Sequence, residues 1–192
     1  MALENQLYEN QTFEKTICPG HDLRLKEFTR CVFKKCDFSG CNFSGSRFVD
    51  CRFQDSNLSN IKVDNGGFQN VEFTNCKIVG VAFSALKSLL IEWSFRDCLM
   101  ELCSFNDLEI RHSKFINCVV KDADFIHANL AGSDFSGSDL QGSNFQNSTL
   151  EKSDLSKARN YYIDPTKNKI KGAKFSYPEV LALLRPLGIV ME

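Results

Sequence analysis

Nine cysteines and three histidines are the residues of this 192-residue chain best equipped for chemistry. Thiolates and imidazoles bind zinc, and paired thiols oxidise to disulfides. Cys31, Cys36 and Cys41 recur at five-residue spacing, Cys51 lies twenty beyond Cys31, and Cys118 lies twenty beyond Cys98. Zinc needs four convergent ligands, commonly presented as CxxC, and that spacing is absent. His21, His112 and His127 stand in no motif with a cysteine or carboxylate at catalytic spacing. A Gly-rich phosphate loop, GxSxG and HExxH are absent too. These residues point to no enzyme, no cofactor and no metal.

The elements that must position the cysteines explain them better. Phenylalanine stands at 28, 33, 38, 43, 48 and 53, a strict period of five. The aromatic or aliphatic centres run from Leu23 to Phe83, with Tyr8 and Phe13 on the same register, and then from Leu90 to Leu155. Sixteen of the seventeen phenylalanines fall on these two registers, with Phe175 left outside. From Phe83 to Leu90 is seven residues, so two are inserted and a bulge, small loop or distorted coil is expected at about 84–93. Two residues before most centres stands a small residue, with Ile61, Val71, Val81 and Leu108 among the exceptions, and eight of the nine cysteines occupy that slot. In extended chain, residues two apart point to the same side. Centre and small residue therefore face inward, and the cysteines read as buried free thiols filling a small core slot. Cys18, in ICPGH, is the exception. A period of five fits neither a helix nor an alternating strand. It fits a coil that turns a corner every five residues.

The units CDFSG, CNFSG, SDFSG, SDLQG and SNFQN resemble the motif of the pentapeptide-repeat family: small residue, polar, Leu or Phe, polar, Gly or polar. The resemblance covers residues 23–158. It implies an all-β solenoid, a right-handed quadrilateral β-helix with four units per coil and about seven coils. The organisation expected is an N-terminal cap and first irregular coil (1–22), the β-helix (23–158), and a C-terminal turn, short α-helix and dimerisation segment (159–192). Ser176 and Glu179 form a capping-box pattern around Pro178, and Pro186 is expected to end the helix near Arg185. Val180, Leu183, Leu184 and Leu187 share one helical face. The segment LLRPLGI resembles the tails of quinolone-resistance members, which implies a homodimer through Val180, Leu183, Leu184, Leu187 and Ile189. The plainer alternative is a helix that caps its own rod.

Net charge is −1 and pI is about 6.3, so bulk charge favours neither nucleic acid nor an anionic membrane. No apolar run reaches membrane-spanning length, and the N-terminus lacks the apolar core of a secretory signal. Together with the odd cysteine count, this points to a cytoplasmic protein with free thiols. Residues 121–154 carry six carboxylates against Lys121 and Lys152, a net of −4, and residues 155–185 carry a net of +5. Asp124, Asp134, Asp139 and Asp154 are the candidate partner-binding surface. Two functions are weighed. One is a non-enzymatic scaffold that binds a protein through the rod surface. The alternative, implied by the resemblance, is a DNA mimic that binds DNA gyrase or topoisomerase IV and modulates quinolone susceptibility. Neither binds nucleic acid directly.

Overall fold

The computed structural model describes residues 3–87 and 92–189. Each five-residue unit is three extended residues followed by a bend. The bend comes two residues after the centre, in the left-handed region, at Asn10, Gly40, Asp50, Gly80, Asp97, Asn117 and Gly137 among others. Asn, Asp and Gly tolerate that conformation best, which explains their recurrence there. Four such corners return the chain above its start, and the coils then pair as parallel strands. Leu7–Glu9, Glu27–Thr29, Arg47–Val49 and Gly67–Gln69 form one sheet, with Tyr8 against Phe28 and Phe48 against Phe68. A six-stranded sheet runs from Thr12–Glu14 to Lys114–Ile116, and a three-stranded one joins Lys77–Val79, Leu99–Glu101 and Val119–Lys121. The result is a parallel β-solenoid of about eight coils.

The centres stack in four columns, one per face. The first face is built on Leu3, Leu23, Phe43, Val63, Phe83, Phe105, Phe125, Phe145 and Ile163, all buried. On the third face Phe13, Phe33, Phe53, Phe73, Phe95, Phe115 and Phe135 form a continuous stack, with successive ring centroids 4.6–5.2 Å apart. Rings from neighbouring faces meet edge to face, as Phe125 does with Phe135 at 5.9 Å. Both arrangements suit the aromatic quadrupole and add about 0.5–1.5 kcal/mol per pair beyond burial. The small slot has its own bond. The Ser46, Ser133 and Ser143 hydroxyls donate to the backbone oxygens of Leu23, Ile110 and Val120, one coil below, at 2.8–3.1 Å. The Cys51 thiol makes the same contact with Phe28 at 3.3 Å. A small side chain with an optional donor satisfies the slot, so Ser and Cys interchange there.

After Phe83 the pairing between coils lengthens by two residues. Trp93 pairs with Val71 and Phe95 with Phe73, twenty-two residues apart, whereas Phe53 and Phe73 are twenty apart. Phe83–Ala85 wind into a 3-10 turn, and Leu86 is buried above Gly66. A Cβ on Gly66 would stand 2.9 Å from the Ser46 backbone oxygen, so only glycine fits beneath it. Trp93 fills a slot that is otherwise small and donates its ring N–H to the Phe68 oxygen at 2.9 Å. Leu90, expected as a centre, lies outside the described residues.

The ends depart from expectation. Residues 3–22, expected as a cap with an irregular coil, pair in register with the second coil. The ladder of coils also continues beyond residue 158. Tyr162 pairs with Asn144 eighteen residues back, Lys169 pairs with Thr149 twenty back, and Phe175 pairs with Leu155. A two-residue shortening is repaired within the same coil, and Phe175 sits on the second register after all. The C-terminal helix, Glu179–Leu187, is 3-10 rather than α, and it runs through Pro186 to a left-handed cap at Gly188. Pro186 offers no N–H for an i→i−4 bond, and the Leu181 N–H turns to Pro178 three residues back. The capping box does not form: the Ser176 hydroxyl accepts instead from the Lys157 N–H at 2.9 Å.

Phe115→Ala removes a ring stacked on both sides, at 5.1 Å from Phe95 and 4.8 Å from Phe135. Denaturant unfolding should show a loss of about 3–5 kcal/mol. A loss below about 1 kcal/mol would contradict the packed column.

Candidate functional site

All nine cysteines are unpaired and buried. Burial disfavours the thiolate, pushing Cys51 up to about 12 and Cys103 up to about 11. Cys76, Cys98 and Cys118 stack in one column. There the Cys76 N–H donates to the Cys98 sulfur at 3.4 Å, and the flanking Cys118 and Cys76 side chains hold Cys98 below the usual thiol range. Among the described residues, no group of three His, Cys, Asp or Glu side chains could share a metal ion. His21, His112 and His127 are exposed, the last two at left-handed corners. The interior is packed, and the charged groups lie on the surface.

The structure does not bring the four candidate aspartates together. Asp134 and Asp154 share the third face with Lys114 and Lys174, whereas Asp139 lies on the fourth and Asp124 on the first. Three of them hold their own corners. Asp134 and Asp154 accept from the N–H groups of Ser136 and Ser156 at 2.8 Å, and Asp139 accepts from Gln141 at 3.2 Å. Bases from the last coil then approach: Lys174 lies 3.5 Å from Asp154 and Arg159 lies 3.4 Å from Asp139. Burial works against the Asp139 carboxylate, but the Asn160 amide at 2.9 Å, the Gln141 N–H and Arg159 outweigh it and hold its pKa down. The Ser156 side chain and N–H, with Lys174, do the same for Asp154 against a smaller burial cost. These carboxylates are parts of the scaffold.

The acidic face is the first one. Its outward positions carry Glu4, Asp22, Asp64, Asp107, Asp124 and Asp164 against Arg24 and Lys62. Sorting the outward residues by the twenty-residue coil, with two added after Phe83, would have found it from the sequence. Two of the six are engaged locally: Asp22 pairs with Arg24 at 2.7 Å, and Asp164 faces Lys167 at 3.9 Å. In the tail, Val180, Leu183 and Leu184 are half-buried, and Leu183 packs with Ala182 against the core. Leu187 and Ile189 are 50% and 51% exposed, and Tyr177 is exposed as well. No described helix is long and apolar enough to cross a membrane.

The repeat is also matched by a family model described as a pentapeptide repeat region, over residues 26–92 and 87–158. The chain belongs to the pentapeptide-repeat family. The two matched stretches of this pentapeptide-repeat protein meet at 87–92, beside the change of register. Among solved structures it is similar to a trypsin-treated variant of QnrB1, a plasmid-mediated fluoroquinolone resistance protein. The two are 20% identical over 97% of this chain and 91% of that one, with a TM-score of 0.57. It is also similar to HetL, a pentapeptide-repeat protein involved in heterocyst differentiation regulation in the cyanobacterium Nostoc sp. strain PCC 7120. Here the identity is 13% over 88% of this chain and 87% of that one, with a TM-score of 0.57. These likenesses show the fold. Comparison with curated proteins found no match.

Two measurements check the reading of these groups. At about pH 8, native protein should leave Cys51 and Cys103 unmodified by iodoacetamide, while urea-unfolded protein reacts at both. Equal labelling in the two states would contradict their burial. Asp139 has a depressed pKa, so its contribution to stability is present above the ordinary carboxylate range and lost as pH falls through the folded value. Asp139→Asn should therefore destabilise at pH 7, and the gap to wild type should close towards about pH 2. A gap that widens on acidification would refute the assignment.

Proposed function

We propose that this chain is a non-catalytic, cytoplasmic scaffold that binds a protein partner through the outer surface of its rod, with the first face as the contact. The observation that carries this reading is the division of residues. Apolar, thiol and small hydroxyl side chains point inward, and the outward positions form straight columns of polar and charged groups. On the first face Asp64, Asp107 and Asp124 form no ion pair among the described residues, which suits a partner with a basic groove or strip. Nine unpaired thiols support a reducing compartment.

The acidic bias of that face also favours a second reading, in which the partner is a type II topoisomerase and the rod occupies its DNA-binding groove. The fold shared with a fluoroquinolone resistance protein is consistent with this. A supercoiling assay separates the two readings. Inhibition by the rod, or protection against a fluoroquinolone, that disappears in an Asp64→Lys/Asp107→Lys/Asp124→Lys variant supports the second. No effect across a wide titration rejects it and leaves the scaffold reading in place.

The scaffold reading is tested with the same triple variant. A partner captured by wild type should be lost, while the melting temperature stays within a few degrees, because all three side chains point outward. Capture undiminished by the triple variant would exclude the first face. The tail supports self-association through the exposed Leu187 and Ile189. Leu187→Glu with Ile189→Glu should convert a dimer to a monomer in sedimentation. An unchanged sedimentation coefficient would reject the tail interface.

A further inference from the structure

The last coil is short by one inward side chain. In the coil below, the chain runs from Asp139 through the centre Leu140 and Gln141 to a left-handed corner at Gly142. Arg159 pairs with Asp139, but the next residue, Asn160, is already the left-handed corner, and Tyr162 pairs with Asn144. The fourth-face centre and the residue after it are therefore missing, and Tyr161 stands over Ser143. A cleft of about 590 Å³ opens there, bordered on one side by Gln141, Asn160 and Tyr161 and on the other by the C-terminal 3-10 helix. That volume lies in the range of sites for small organic ligands. Tyr161 is 3% exposed, yet its hydroxyl finds no hydrogen-bond partner among the described residues. Buried hydroxyls ordinarily have one. Burial, and after it the Glu179 carboxylate, push this phenol up to about 12, so at neutral pH it carries a proton to donate.

The helix supplies charge at two points of this cleft. In a 3-10 helix residues three apart lie in line, so Glu179, Ala182 and Arg185 follow one another along the cleft they border. Glu179 and Arg185 are two turns, about 12 Å, apart along the axis. Neither forms an ion pair among the described residues. Leu181 and Ala182 add apolar wall between them. We propose that this cleft binds a small zwitterion with separated charges, a dipeptide, whose carboxylate meets Arg185, whose ammonium meets Glu179, and whose amide oxygen accepts from the Tyr161 hydroxyl. A guanidinium presents two parallel N–H groups to a carboxylate. The separation of the two charges suits a molecule with its ionic groups at opposite ends better than an α-amino acid, which carries both on one carbon. A dipeptide seated there gives the buried hydroxyl its acceptor and joins the last coil to the helix. The cleft shares no residue with Asp64, Asp107 and Asp124 on the first face, so its occupancy and capture of a partner by that face are read separately.

The full chain is titrated with L-alanyl-L-leucine by isothermal calorimetry. The expected result is saturable binding of one molecule per chain, with L-leucine and the N-acetylated, C-amidated dipeptide each weaker by about tenfold or more. Tyr161→Phe removes one oxygen that has no partner in the free chain. Its melting temperature should therefore equal or exceed that of wild type, while the dipeptide binds about tenfold more weakly. Glu179→Gln and Arg185→Gln should each weaken binding too, whereas Arg96→Gln, on a mid-rod coil, should leave it unchanged. An absence of saturable heat up to millimolar dipeptide, equal binding of the capped dipeptide, or full affinity in Tyr161→Phe would each overturn the proposal.

Discussion

Every inward side chain in this rod lies directly above and below its counterpart in the adjacent coils. Parallel backbone bonds between coils impose this, as when the Phe115 N–H donates to Asp134 at 2.7 Å and the Asp134 N–H to Ser113 at 3.0 Å. A slip of one residue would turn every centre outward and every charge inward. The constraint selects flat rings that stack at the spacing between coils, a small residue two positions earlier, and a corner residue that accepts a left-handed backbone. Leu25 and Leu102, both exposed at such corners, show that the backbone geometry outranks residue preference once the ladder is in place.

Where the spacing changes, neighbouring residues compensate. The inserted pair after Phe83 leaves Leu86 over Gly66, and Trp93 occupies a slot built for serine or cysteine. In the last coil Asn168 takes the small slot, and its side-chain oxygen accepts from the Ser148 N–H at 3.0 Å, as the Ser56 hydroxyl accepts from the Cys36 N–H. Each of these changes of length is absorbed locally by such compensating residues, because each coil touches only its two neighbours.

The period was legible because one residue type fills one slot many times, and with it came the family, the solenoid, the insertion and the inward direction of eight cysteines. Phe175 was missed because the two-residue shortening before Tyr162 hides a register that resumes at Lys169. The tail read as an α-helix from its apolar spacing, but spacing carries no information on the i→i−4 donors that prolines remove. The aspartates were visible as charge and not as corner caps. Which bases neutralise them depends on residues one coil away, such as Lys174 and Arg159. The acidic first face was legible once the outward charges were sorted on the twenty-residue coil with two residues added after Phe83.

The central claim is that coils are exchangeable units held by a twenty-residue ladder, and deleting one coil tests it most directly. Removing residues 115–134 joins Lys114 to Phe135, which places Phe135 over Phe95 with Ser113 still in the small slot. The account predicts a folded rod with wild-type ellipticity per residue and one cooperative thermal transition by circular dichroism. It predicts that removing residues 113–134 instead, two more, abolishes that transition. Loss of structure in the first variant, or the same cooperative melt in both, would contradict it.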